Sequence, residues 1–178
     1  MAIIHAIDII AEHWATIGEQ RPRIMMSVIQ QYSDSDDPRD ILGVAYAFLN
    51  CGAKYRKQAI EYFEKYLASP SDLTCYHFVN EWSIYSSLAV LYEKEYQFDK
   101  AIYCLEQCIA ADNGSNVADF IRIGDILVKI DTERAEQYYL TLLKETKFTH
   151  YKYQFEYALN EVREKIKHGY TYKPRKRK

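Results

Sequence analysis

Glycine and proline are scarce in this chain, at 6 and 4 residues of 178. A fold of many short strands needs those residues at its turns, so their scarcity argues against one and favours long helices. No run of about 18 uninterrupted apolar residues occurs, which leaves no candidate membrane-spanning helix. Cysteine is limited to Cys51, Cys75, Cys104 and Cys108, without a CxxC pair or a dense framework. Reduced thiols in a cytoplasmic protein are the expectation from that pattern. Near the start, Ile3, Ile4, Ile7 and Ile10 are interrupted by His5, Asp8 and Glu12, with no basic opening and no small-residue cleavage site. That is not the pattern of a secretory signal.

Catalytic signatures are missing as well. There is no glycine-rich phosphate loop and no GxSxG elbow. His5, Asp8 and Glu12 share a helical face, and with apolar residues opposite them they read as a solvated stripe rather than an acid–base group. Ala11-Glu12-His13-Trp14 lacks the second histidine of a zinc-protease helix. Cys104 and Cys108 stand one turn apart with no accompanying His or Cys pair, which reads as core packing rather than a metal site. No catalytic residue, metal site or cofactor is expected.

What is present is a folded composition, 48% hydrophobic and 27% charged, with tyrosine as the outlier at 17 copies. An apolar ring with a polar tip suits half-buried seams between helices, and tyrosine recurs along the whole chain. Charge is unevenly distributed. The last six residues, Lys173 to Lys178, hold five basic residues, and the remaining chain carries 18 basic against 25 acidic ones, a balance of -7. An acidic body with a basic end is not the footprint of a nucleic-acid-binding domain, which is basic over a whole face.

One pattern repeats. Ala59, Ile60, Phe63, Tyr66 and Leu67 form a helical apolar stripe, and Ala101, Ile102, Leu105, Cys108 and Ile109 repeat its offsets. Ala135, Tyr139, Leu142 and Leu143 repeat all but the second position, where Glu136 stands. The alanine that opens each stripe permits close approach of a neighbouring helix. Each stripe follows another helical segment with a large residue, a small one and a large one three further on: Leu42-Gly43-Val44-Ala45-Tyr46, Leu88-Ala89-Val90-Leu91-Tyr92 and Ile123-Gly124-Asp125-Ile126-Leu127.

These paired segments resemble tetratricopeptide repeats, whose pattern is W-x2-L-G-x2-Y, then A-x3-F, then a proline. The middle copy supplies Tyr85, Leu88, Ala89, Tyr92, Ala101, Leu105 and Cys108, with Asn113 where proline is usual. The first supplies Leu42, Gly43, Tyr46, Ala59, Phe63 and Pro70, with about four extra residues around Gly52; the third supplies Ile123, Gly124, Leu127, Ala135 and Tyr139, one residue short in its turn. The opening alanines are 42 and then 34 residues apart, against a family repeat of about 34, and the excess falls mostly in Pro70–Glu81.

Flanking segments are helical by the same criteria. Residues 2–17 carry Ile3, Ile7, Ile10, Trp14 and Ile17, and Pro22 opens a helix to about Tyr32, so the pair reads as a degenerate hairpin. Tyr151, Phe155, Ala158, Leu159, Val162 and Ile166 mark a final amphipathic helix from Thr149 to Lys167, with Gly169 as its C-cap. A stack of repeats needs such a helix to cover its last apolar face. The expectation is an all-α superhelix of about nine antiparallel helices over residues 1–169, followed by a basic, flexible tail at 170–178.

The resemblance implies a concave groove lined by the first helix of each pair, and a role as a non-catalytic scaffold or adaptor for a peptide or helix. The groove-facing positions map to Asp40, Val44, Ala47 and Phe48, then Ser83, Ser86, Val90, Glu93 and Lys94, then Ala118, Ile121, Asp125, Val128 and Lys129. Of these, Val44, Phe48, Ser83, Ser86, Val90, Glu93, Ile121, Asp125 and Lys129 are the candidate peptide contacts. The carboxylate clamp of chaperone-binding members is not matched, since Asp40, Val44, Ser86, Val90 and Ile121 occupy its positions and only Arg122 fits. Apolar groove residues with serines between them favour an apolar peptide or an amphipathic helix. The alternative is that the C-terminal helix folds back and fills the groove.

Two other classes of partner stay open. Lys173, Arg175, Lys176, Arg177 and Lys178 form a basic arm that attracts phosphates without reading sequence, and a regulatory subunit that senses a peptide or associates with nucleic acid would use it. The bland reading of that arm is a solubilising or targeting end. A self-associating structural protein is the third, since an exposed repeat edge pairs with its own copy.

Overall fold

A computed structural model describes residues 4–13, 20–68 and 80–174. The described residues are all-α, with nine α-helices and two short 3-10 turns and no strand among them. The chain divides into two compact units, Met1–Glu95 and Tyr96–Lys178, where the sequence predicted one domain over 1–169. The boundary lies in a turn that places Tyr96 at φ +61°. The middle repeat therefore has one helix in each unit. Within each unit most helices pack on their neighbours in sequence, and the first helix, which packs mainly on the third, is the exception.

The first unit holds α1 (Ala6–Glu12), α2 (Gln20–Tyr32), α3 (Pro38–Asn50), α4 (Arg56–Ala68) and α5 (Glu81–Lys94). Pro22 sits inside the first turn of α2, where its missing N–H costs no helical bond. The expected first helix over 2–17 is observed as Ala6–Glu12, and Trp14 and Ile17 lie outside the described residues. So do Cys75 and nearly all of the Pro70–Glu81 insertion. Helix α3 is the centre. Asp37 caps its N-terminus by accepting from the Arg39 N–H at 2.9 Å, and Pro38 takes the first position, where a missing N–H costs nothing. Residues 40 to 48 are buried without a break, and α1, α2 and α4 all pack on α3. A helix apolar all round has to be enclosed.

Contact between α1 and α3 is close enough to need glycine. A Cβ on Gly43 would lie 2.5 Å from the Ala6 carbonyl carbon and from the Ile7 nitrogen. Beside it, the buried Asp40 carboxylate accepts from the Ala6 N–H at 2.8 Å and from the Ser35 hydroxyl at 2.7 Å, with His5 Nδ1 at 3.3 Å. A carboxylate of α3 thereby holds the N-terminus of α1, where the helix dipole favours negative charge. This corrects the solvated-stripe reading of His5, Asp8 and Glu12. His5 precedes the helix and is 8% exposed, Asp8 accepts from the His5 N–H at 2.7 Å, and only Glu12 faces solvent.

The extra residues around Gly52 form the 3-10 turn Ala53–Tyr55, entered with Gly52 at φ +95°, before α4 begins. Ala59 is fully buried, and Phe63 meets Tyr46 edge-on at 5.1 Å between ring centroids. Tyrosine tips tie the seams: Tyr62 donates to the Ser33 carbonyl at 2.8 Å, and Tyr92 on α5 donates to Glu64 on α4.

The second unit holds α6 (Phe98–Ala111), α7 (Val117–Ile130), α8 (Thr132–Lys144), the 3-10 turn Thr146–Tyr151 and α9 (Lys152–Lys167). Asn113, standing where the family pattern has proline, ends α6 at φ +55° with Gly114 at +71° behind it. The Gly114 N–H reaches back to the Ile109 carbonyl at 2.8 Å, which satisfies an orphan acceptor of the last turn. A single residue, Asp131, links α7 to α8, and its carboxylate accepts from the Glu133 and Arg134 N–H groups at 2.8 and 3.3 Å. That link makes α7 and α8 an antiparallel hairpin. The final helix ends as its glycine predicts: Gly169 is at φ +63°, and the Tyr170 N–H bonds the Lys165 carbonyl at 2.9 Å.

Candidate functional site

In the first unit, the expected groove positions are already in use. Val44 and Phe48 are 0% and 7% exposed, so neither offers a contact surface. The reason is physical: α1 and α2 cover the face of α3 that the α3–α4 hairpin leaves open, and Phe48 lies against Tyr55 and Tyr62 at 5.7 and 5.4 Å. On α5, Ser83 serves the helix end, with its N–H donating to the Asn80 side chain at 2.8 Å and its hydroxyl to the Asn80 carbonyl at 2.8 Å. Ser86, Val90 and Glu93 are half-buried on the same helix.

In the second unit, two of the expected residues share a cavity. A groove of about 380 Å³ runs between α7 and α9. Ile121 and Asp125 form its α7 wall; Tyr153, Gln154, Tyr157, Ala158, Glu161, Val162 and Lys165 form its α9 wall; Tyr139 of α8 lies at its floor. Both walls run antiparallel to α8, so they lie parallel and their residues pair turn by turn. Lys129, one turn beyond Asp125, is not among the lining residues; its ammonium stands 6.0 Å from the Tyr172 ring.

Tyr139 ties floor to wall. Its hydroxyl donates to the Ile121 carbonyl at 3.2 Å, and burial raises its pKa, with the Asp125 carboxylate adding to the rise. Gly124 admits the ring, because a Cβ there would stand 2.0 Å from the Tyr139 hydroxyl. Beneath α9, Phe155 contacts Phe120, Phe148 and Tyr139 at 5.8, 6.2 and 6.3 Å. A packed aromatic base of this kind fixes the α9 wall in place. Tyr153 and Tyr157, by contrast, project from that wall and are 77% and 62% exposed. Two large rings one turn apart beside a cavity are what a binding surface presents, and scattered exposed residues are not.

The sequence pattern did not single out these tyrosines. The apolar stripe Tyr151, Phe155, Ala158, Leu159, Val162 and Ile166 marks the helix by its inner side, where Phe155, Leu159 and Val162 are buried. Tyr153 and Tyr157 form a second stripe at i, i+4 on its flank.

A larger, shallower depression of about 570 Å³ lies between α6 and α8, lined mostly by polar side chains such as Glu106, Glu133, Arg134, Gln137 and Thr141. At its edge the Tyr138 hydroxyl is buried and has no hydrogen-bond partner among the described residues. Burial raises the Tyr138 pKa further from the physiological range. This depression lacks the exposed rings of the α7–α9 groove, so size alone does not make it the better site.

Cys104 and Cys108 are buried at 3% and 0%, as core packing requires, and burial pushes the Cys108 thiol up to about 12. Among the described residues, no group of three His, Cys, Asp or Glu side chains is placed to hold a metal. No helix among them is long and apolar enough to cross a membrane. Of the basic arm, Lys173 is exposed and described, while Arg175, Lys176, Arg177 and Lys178 lie outside the described residues. Just before the arm, Tyr172 packs edge-on against Phe98 at 6.0 Å between ring centroids. Comparison with known proteins adds no relative: no family model matches the chain, and neither a curated protein nor a solved structure does.

Proposed function

We propose that this chain is a non-catalytic protein-interaction module of the tetratricopeptide type, and that it binds a peptide or a partner's helix in the groove between α7 and α9. The observation that carries this reading is the pair of exposed rings, Tyr153 and Tyr157, beside a cavity whose floor is the buried Tyr139. Exposed tyrosine gives large contact area with few rotors to immobilise, and aromatic anchors dominate binding energy at protein interfaces. The groove's α7 wall also contains Ile121 and Asp125, which the repeat pattern assigns to the ligand-facing side.

The test is fluorescence anisotropy against a library of labelled peptides, with Tyr157→Ala and Tyr153→Ala as the perturbed forms. Both rings are mainly in solvent, so the variants keep the parent's helical circular dichroism and melting. Loss of an anchor costs about 2 kcal/mol, a drop in affinity of roughly 30-fold. Binding that survives both alanines but is lost when the chain is ended at Tyr172 moves the function to the basic arm.

A further inference from the structure

In the first unit, α1 is a helix only while it is docked. Its 7 residues make about two turns, and isolated helices shorter than about 12 residues are marginal in water. Ile7, Ile9 and Ile10 are β-branched, which lowers helix propensity further. Docking comes from one face: Ala6, Ile7 and Ile10 are all 0% exposed, and the helix packs mainly on α3.

What α1 covers is shaped for a helix. Gly43 leaves a notch in which the α1 backbone lies so close that a Cβ would stand 2.5 Å from atoms of Ala6 and Ile7. One turn earlier on α3, Asp40 accepts from the Ala6 N–H at 2.8 Å and holds the incoming helix by its first turn. Asp40 is also a position that the repeat pattern turns toward a ligand, so α1 stands where a ligand would. From Ile41 to Phe48 every residue of α3 is apolar or glycine. That face therefore needs an apolar cover, and only another apolar helix replaces the one it has.

We infer that α1 is a detachable cover, and that the face of α3 beneath it binds a partner's amphipathic helix in its place. Such a helix carries a small residue opposite Gly43, branched aliphatic residues one and four positions later, and a first-turn N–H for Asp40, as Ala6, Ile7 and Ile10 do. The site extends the interaction-module reading to the first unit and stands or falls apart from the α7–α9 groove.

Hydrogen exchange of the unaltered chain, followed by mass spectrometry, tests detachment. Amides of α1 exchange through local opening, roughly 100-fold faster than those of α3. Equal protection of the two helices overturns the cover. Binding is tested on the full chain carrying Ile7→Asp and Ile10→Asp, which undock α1 and leave α3 unaltered. A peptide of residues 4–13 at millimolar concentration raises the melting midpoint of that variant by about 2–4 °C, and the same residues in reversed order do not. The parent's midpoint does not move, because its own α1 competes at a high effective concentration. In the variant, Gly43→Ala removes the peptide's effect, and Tyr157→Ala leaves it. Ile10→Ser, a milder undocking, carries the same comparison if the double variant does not fold. A midpoint indifferent to the peptide, or moved equally by the reversed one, overturns the helix-binding face and leaves the α7–α9 groove untouched.

Discussion

Gly124→Ala sets two effects of known sign against each other. Alanine is the better helix former, and at position 124, in the middle of α7, the exchange would by propensity alone stabilise the helix by about 1 kcal/mol. Packing opposes it. The added methyl carbon would lie 2.0, 2.3 and 2.6 Å from the hydroxyl oxygen, Cζ and Cε2 of Tyr139. A hydroxyl at the end of a free side chain would swing aside at little cost. Tyr139 is not free: it is 1% exposed, its ring meets Tyr138 and Phe155 at 5.4 and 6.3 Å, and its hydroxyl is bonded to Ile121. Moving the ring by more than an ångström breaks that bond, worth about 1 kcal/mol, and forces overpacking that costs a further 1–3 kcal/mol. The net expectation is a loss of about 1–3 kcal/mol in urea unfolding followed by circular dichroism. The second half of the test is Tyr139→Leu. That substitution destabilises alone, but in its presence Gly124→Ala becomes neutral or stabilising, because the atoms it would strike are gone. A single Gly124→Ala variant as stable as the parent refutes the close approach, and additive double-variant energies refute its assignment to Tyr139.

The unpartnered hydroxyl of Tyr138 makes Tyr138→Phe neutral or stabilising by up to about 1 kcal/mol in urea unfolding; a clear loss of stability would show that the hydroxyl has a partner. Asp40→Ala removes the acceptor of the Ala6 N–H and the Ser35 hydroxyl from a buried site, and should cost about 2–3 kcal/mol, with α1 losing protection in hydrogen exchange first. Asp37 supplies a pH dependence. The Arg39 guanidinium bonded to it holds its carboxyl at about 2, below the ordinary 3.8. A depressed folded value means the stabilisation is complete above pH 3.8 and is lost as pH falls toward 2. Asp37→Asn, which keeps a capping side chain but not the charge, should lower stability at neutral pH, where that contribution is fully present, and flatten the acid limb so that the two profiles converge as pH falls toward 2.

Fold class was legible because the helical signals agree with one another. Ala59, Ala101 and Ala135, picked out as close-approach positions by their recurrence, are all 0% exposed. Gly169 and the one-residue turn at Asp131 are local devices, readable from residue type alone. The position of α1 was not, because it depends on a tertiary bond: Asp40 holds a helix 34 residues upstream, and nothing in residues 5–12 announces an acceptor on another element. Gly43 shows the same limit. The repeat pattern marks it as a small position, yet the partner that needs the space is the backbone of α1, outside the repeat.

The candidate site divides along the same line. Ile121 and Asp125 line the α7–α9 cavity because α7 has one face against its neighbours and one toward α9. Val44 and Phe48 occupy the corresponding positions of α3 and are buried, because two further helices precede that repeat and cover it. The signal for this was in the chain. From Ile41 to Phe48 every residue is apolar or glycine, so α3 has no polar face for water, whereas α7 interrupts its apolar residues with Arg122, Asp125 and Lys129. A position's rank in a repeat says which way its side chain points; the polarity around the whole helix says whether anything is left open there. Applied to α9, the same criterion separates Phe155, Leu159 and Val162, which the core claims, from Tyr153 and Tyr157, which stand among Lys152, Gln154 and Glu156 on a solvated flank. Large aromatic rings on a polar flank stand outside the core, so substituting Tyr153 and Tyr157 tests the proposed binding without disturbing the packing that holds α9.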